Sequence, residues 1–176
     1  MSDVHDATIT SVLFRAQNDP SNPDSLRALL EQYKLFVQTS ESLVARRQTV
    51  NAFFLSLNTL ILGAIGIFAR EGPFSSQAFV SMIVFGFTGC ILTRLWHRLI
   101  HSYRQLNAGK FTVIEALEKM LPASVFTAEW AALGFGRDPS RYRSSTQTEM
   151  SISWVFTILY AAIGIVGVVF AAFAAL

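Results

Sequence analysis

Residues 43–62, LVARRQTVNAFFLSLNTLIL, decide the fold. Arg46 and Arg47 close a charged stretch, and no charged side chain follows until Arg70. At 1.5 Å rise per residue, the apolar-dominated run from Ala52 to Ala69 nearly spans a hydrocarbon core of about 30 Å as a helix. An arginine beside hydrocarbon is costly unless it sits at the interface or snorkels to it. The arginine pair therefore marks where water ends.

The totals agree. The 176 residues are 52% hydrophobic and 15% charged, with a mean hydropathy of +0.41. An ordinary soluble domain is about 25% charged. The net charge of +2 matters less than its distribution, because 13 of the 14 Lys and Arg lie in residues 1–51 and 94–150. The one cysteine, Cys90, lies inside an apolar run, which excludes a disulfide framework or a thiol metal cluster. The first 25 residues contain no uninterrupted apolar segment of the secretory type, so insertion is expected to rely on the first span.

Upstream of the arginines, residues 1–24 are polar, broken at Asp19-Pro20 and Asn22-Pro23-Asp24, and read as a mobile tail with a short apolar patch at Ile9, Val12, Leu13 and Phe14. Asp24 or Ser25 can cap a helix. From there Leu26, Leu29, Leu30, Tyr33, Phe36, Val37, Ser40, Leu43, Val44 and Arg47 follow a near seven-residue repeat, the mark of a bundle seam. No Gly or Pro intervenes before Leu62, so stalk helix (25–51) and first span (52–69) read as one helix. Asn51, Ser56, Asn58 and Thr59 form a candidate polar stripe in the span. An amide in lipid must find a partner, so the stripe should face another helix or line a polar path.

Arg70-Glu71-Gly72-Pro73 supplies turn chemistry, and a second span (79–95) returns antiparallel, with Trp96 as its interface anchor. The pattern continues through Leu95, Leu99, Tyr103, Leu106, Lys110, Val113, Leu117 and Leu121, a second stalk helix (96–122) ended by Pro122, with Gly109 as a weak point. Residues 123–148 read as a loop with a short helix at Thr127–Leu133, breakers at Gly134-Phe135-Gly136 and Arg137-Asp138-Pro139, and a basic aromatic patch at Arg141-Tyr142-Arg143. Thr148 and Glu149 suit the start of a third helix. Its span (152–174) carries no charge and has Trp154 near the interface. The expected fold is an all-α membrane protein with three transmembrane helices, the first two extended into an antiparallel helical stalk. The basic residues place stalk and N-terminus in the cytoplasm and the C-terminus outside.

Chemistry is sparse. His97 and His101 share a helix face, but His5 is remote and a metal site needs three or four ligands. Glu115, Glu118 and Glu129 can form an acidic cluster with His101, and their spacing equally predicts a solvated face or ion pairs with Lys119 and Arg104. Arg46, Arg47, Arg94, Trp96 and Arg98 form the expected lipid headgroup belt. Glycines three apart occur in every span (Gly63 and Gly66, Gly86 and Gly89, Gly164 and Gly167) and are expected to serve close helix packing. No nucleotide-binding, nucleophile-elbow, HExxH or CxxC motif occurs. The reading is therefore non-enzymatic, without cofactor, metal or nucleic acid.

Ala45-Arg46-Arg47-Gln48 with Asn51, Phe53–Thr59, Trp96, Leu99-Ile100, Ser102-Tyr103-Arg104, Leu106-Asn107, Lys110-Phe111, Leu121-Pro122 and Glu129-Trp130 resemble a family of small bacterial membrane proteins over about residues 30–165. That resemblance implies a homo-oligomer, an octamer, in the bacterial inner membrane, and no catalytic residues. The layout is also similar to the two-span SLATT effector group, from which a third span departs. The expected function is a homo-oligomeric channel or pore-forming assembly in contact with membrane lipids. The alternative is a non-conducting scaffold whose stalk recruits a cytoplasmic protein partner.

Overall fold

The structure is a computed structural model describing residues 2–14, 22–70, 76–138, 140–142 and 145–174. It contains five α-helices among those residues: α1 (Ser2–Leu13), α2 (Pro23–Arg70), α3 (Ser76–Glu118), α4 (Val125–Ala132) and α5 (Ser145–Ala174). No strand occurs among them. A short turn, Gly134–Gly136, follows α4 with positive φ at all three residues, including Phe135 at 55°. Glycine adopts that backbone freely, and Phe135 is the strained exception between the two. The expected breaks at Asp19-Pro20, Glu71-Gly72-Pro73 and Pro139, and Arg143 of the basic patch, lie outside the described residues.

Three of these helices, α2, α3 and α5, are long and apolar enough to cross a membrane. The chain divides into two compact units. One comprises residues 1–45 and 103–144, the other residues 46–102 and 145–176.

In the second unit, α3 runs antiparallel to α2 and to α5, as the pairs Asn51–Trp96, Phe68–Phe85, His97–Ser153 and Phe79–Phe170 require. The core is made of Phe79, Trp96, Ile100, Ile65 and Tyr160, together with Asn58, Thr93 and Ser153, which are fully buried. In the first unit, the N-terminal part of α2 packs on the C-terminal part of α3 around Leu29, Ile114, Ala116 and Leu117. Lys110 lies over the Phe36 ring at 4.6 Å and donates to Thr39 Oγ1 at 2.8 Å.

Several boundaries differ from the sequence reading. Residues 2–13, expected as a tail, form α1. α3 ends at Glu118 and not at Pro122, because the chain tightens there through Met120 N–H to Leu117 O and Leu121 N–H to Glu118 O. α4 begins at Val125, two residues before expectation, and α5 at Ser145, three before Thr148. Gly109 leaves α3 unbroken.

The seam on α3 is also shifted. Its inward residues are Trp96, Ile100, Tyr103, Asn107, Lys110, Ile114 and Leu117, a regular four–three repeat, while Leu95, Leu99 and Leu106 are 52%, 37% and 54% exposed. Trp96 carries an indole N–H that needs an acceptor, and the repeat that satisfies it turns those leucines outward.

Candidate functional site

The polar groups of the spanning unit hold its three helices together. Trp96 Nε1 donates to Asn51 Oδ1 at 2.9 Å, and its ring stacks on Phe54 at 5.7 Å. Trp96 is 2% exposed, so it sits in the core of the unit and not at a lipid interface as expected. Two helical turns further, Asn58 uses its amide N–H to bond Phe54 O at 2.7 Å, while its backbone carbonyl accepts from Tyr160 Oη at 3.0 Å. Its Oδ1 is buried without a hydrogen-bond partner. Asn51 and Asn58 therefore face the core of their own chain.

Ser56 and Thr59, the other half of the expected stripe, are exposed. At about 100° per residue they cannot share a face with Asn51 and Asn58, because only the seven-residue pair falls in line. Thr59 bonds back to Leu55 O at 2.9 Å, as a hydroxyl in an apolar helix commonly does.

Between α3 and α5 a second polar line runs beside the glycines. Thr157 Oγ1 donates to Thr93 Oγ1 at 2.9 Å, and Thr93 in turn to Gly89 O at 2.9 Å. Ser153 Oγ lies 3.0 Å from His97 Nδ1. The same hydroxyl lies 2.9 Å from Met150 O, which it can reach as a donor. Deeper in the span the helices meet closely. A Cβ on Gly86 would stand 2.8 Å from the Gly164 backbone, one on Gly89 would strike the Tyr160 ring, and one on Gly167 would stand 2.9 Å from Met82. Gly63 and Gly66 on α2 have nothing within 4 Å of that position.

The residues named for the headgroup belt separate in the same way. Arg46, Arg94 and Arg98 are exposed, whereas Arg47 is half-buried and pairs with Glu149 at 3.5 Å. His101 is exposed and no group of three His, Cys, Asp or Glu side chains forms a metal cluster among the described residues.

The first unit holds a buried carboxylate that sequence reasoning placed on a solvated face. Glu118 is 1% exposed. It accepts from Phe126 N–H at 2.7 Å, Thr127 N–H at 3.1 Å, Thr127 Oγ1 at 2.9 Å and Tyr33 Oη at 3.0 Å. Those amides belong to the first turn of α4, whose own N-cap, Ser124, makes no side-chain bond. Glu118 thus caps α4 from another helix, where a carboxylate also suits the positive end of the helix dipole. Burial would raise its pKa, and hydrogen bonds from Phe126, Thr127 and Tyr33 outweigh that and hold it below the ordinary carboxylate value. The same pairing acts in reverse on Tyr33, where burial and then the Glu118 carboxylate push the phenol up to about 12.

Beside this clasp, Arg104, Asn107, Phe111, Glu115, Glu129, Trp130 and Tyr142 line a groove of about 560 Å³. Trp130 meets Tyr142 edge-on at 5.8 Å. Asp138, which accepts from Ser140 N–H and Oγ, has its pKa lowered first by those two bonds.

Apolar helices of this length, closed on each other by hydrogen bonds and glycine contacts, define an integral, multi-pass α-helical membrane protein. The chain belongs to the octameric membrane protein family (8xMP), whose model matches residues 30–172. It is accordingly an oligomeric integral membrane protein. No curated protein and no solved structure matches it.

Proposed function

We propose that this protein forms a channel, an eightfold ring whose lumen is bordered by the face of α2 turned away from α3 and α5. The observation that carries this reading is Ser56, an exposed hydroxyl-bearing residue on that face, near the start of an apolar span. Eight helices packed at 8–10 Å place their axes about 10–13 Å from a common centre. Subtracting a helix radius of about 5 Å leaves a lumen of roughly 5–8 Å radius, room for a hydrated ion. Ser56 would supply hydroxyls to that lumen. Asn51 and Asn58 hold the wall together from behind.

In this reading the first unit is the cytoplasmic continuation of the first two spans, in a bacterial inner membrane, with the N-terminus inside and the C-terminus outside. The excess of Lys and Arg in residues 1–51 and 94–150 supports that orientation.

The test is ion flux from potassium-loaded liposomes containing the purified protein. Flux is expected, and Ser56→Trp is expected to reduce it at least tenfold with assembly intact. Tight liposomes across a range of pH and voltage would refute conduction.

The groove bounded by Trp130, Tyr142, Glu115 and Glu129 favours the second reading, a scaffold that docks a cytoplasmic protein. Alanine at Trp130 and Glu129 should then abolish recovery of that partner while the oligomer persists. Retention of the partner would dismiss it.

A further inference from the structure

On α2, at about 100° per residue, the surface opposite the core divides into two flanks. Ala52, Thr59 and Gly66 recur every seven residues on one flank, all exposed and all small. Phe53, Leu60 and Ile67 recur every seven residues on the other, and are 59%, 70% and 65% exposed. The glycines of α3 and α5 are consumed by the crossing of those two helices, where an added Cβ would strike a neighbour within 3 Å at Gly86, Gly89 and Gly167. Gly66 has open space around it, with nothing within 4 Å among the described residues.

A strip of small residues admits close approach of another helix in lipid, and a ridge of large side chains on the same repeat fits such a strip. Strip and ridge lie on different flanks of one helix, so a copy cannot satisfy both with a single partner. Each copy offers its ridge to one neighbour and its strip to another. Such head-to-tail contacts close into a ring when the rotation allows, and an octameric family requires a closing rotation.

We propose that the Ala52–Thr59–Gly66 strip of one copy receives the Phe53–Leu60–Ile67 ridge of the next, which makes α2 the helix that closes the octamer. This rests on the ring assumed for the channel and not on whether the ring conducts.

In a cyclic ring every copy sits at the same height in the membrane, so neighbouring positions 59 and 60 of adjacent copies come together. In a Cys90→Ala background, full-length protein carrying both Thr59→Cys and Leu60→Cys is oxidised in lipid nanodiscs and run on a denaturing gel. A ladder of linked copies reaching eight is expected from the double variant and none from either single variant. Dimers from a single variant would mean that like flanks meet. A monomeric double variant with the octamer intact by native mass spectrometry would mean that lipid covers this face. Either result overturns the assignment. As a second measurement, Gly66→Leu is expected to lower the octamer fraction at least tenfold with helix content unchanged, and an undiminished octamer would also overturn it. Loss of ion flux with a complete ladder would refute the channel and leave the interface standing.

Discussion

Replacing Glu118 by Gln removes one charge and almost no volume, so its effect isolates the clasp on α4. The carboxylate receives Phe126 N–H and Tyr33 Oη on Oε1, and Thr127 N–H and Oγ1 on Oε2. A glutamine keeps one acceptor oxygen. Whichever way its amide lies, an N–H of the first turn of α4 faces another donor. A buried donor left unsatisfied costs about 1–3 kcal/mol. The bonds that survive lose their charge assistance, which roughly doubles the strength of such bonds. The total is on the order of 2–4 kcal/mol, or about 30- to 1000-fold in an opening equilibrium. An eight-residue helix has no independent stability, so the loss should appear as local opening and not as global unfolding. Hydrogen exchange read by mass spectrometry on the detergent-solubilised protein measures this. Amides of residues 126–132 are expected to exchange at least ~30-fold faster in Glu118→Gln, with those of residues 82–100 unchanged. A change under about threefold across α4 would show that the carboxylate does not hold the helix.

The same clasp sets a pH window. The folded-state pKa of Glu118 lies below its unfolded value of about 4.3, so its contribution is complete above that pH and lost as pH falls through the folded value. Tyr33, raised to about 12, contributes fully below its unfolded value of about 10 and loses this as pH rises from there towards 12. Exchange of α4 followed at both extremes should show both losses, and Tyr33→Phe should blunt the alkaline one; an unchanged alkaline loss would remove Tyr33 from the account. In the spanning unit, Gly89→Ala forces a Cβ against the fully buried Tyr160 ring and should destabilise by about 1–3 kcal/mol, read by thermal unfolding in detergent. Gly109→Ala, with open space around it, should stabilise by up to about 1 kcal/mol; equal effects at the two sites would contradict the close crossing of α3 and α5. Trp96→Phe strips Asn51 of its donor and should cost about 1–3 kcal/mol in the same assay. If Asn51→Leu relieves none of that cost in the Trp96→Phe background, the bond is not its source.

The spans were legible because a charge gap of this length has few other readings in a helical chain. The register of α3 was not, and within the span, at Leu95, the reason is specific to lipid. In water a leucine is drawn inward, so a leucine repeat points to a core. In a bilayer Leu95 faces acyl chains at no cost, and apolarity no longer separates inside from outside. What does separate them is the polar atom that must be satisfied. Trp96, Thr93 and Asn58 mark the buried faces of their helices more reliably than any leucine. Glu118 illustrates the opposite failure. On an amphipathic helix an acid between Leu117 and Lys119 reads as solvated, and only the return of the chain at residues 125–127 converts it into a cap.

The α2 span carries this logic to its end. Its polar stripe, read as one feature, is two: the amides Asn51 and Asn58 seven residues apart turn inward, and the hydroxyls Ser56 and Thr59 turn outward. Amides have more hydrogen-bonding groups than a helix can satisfy from its own backbone, so they are drawn to the chain's own core. A hydroxyl can return its one proton to a carbonyl a turn back, as Thr59 does, and remain on an outer face. The outer face of α2 is therefore free to combine small residues, hydroxyls and a large apolar ridge without a penalty in the single chain. A helix face with that composition is better matched to another copy of itself than to lipid, which has no shape to offer the gap at Gly66.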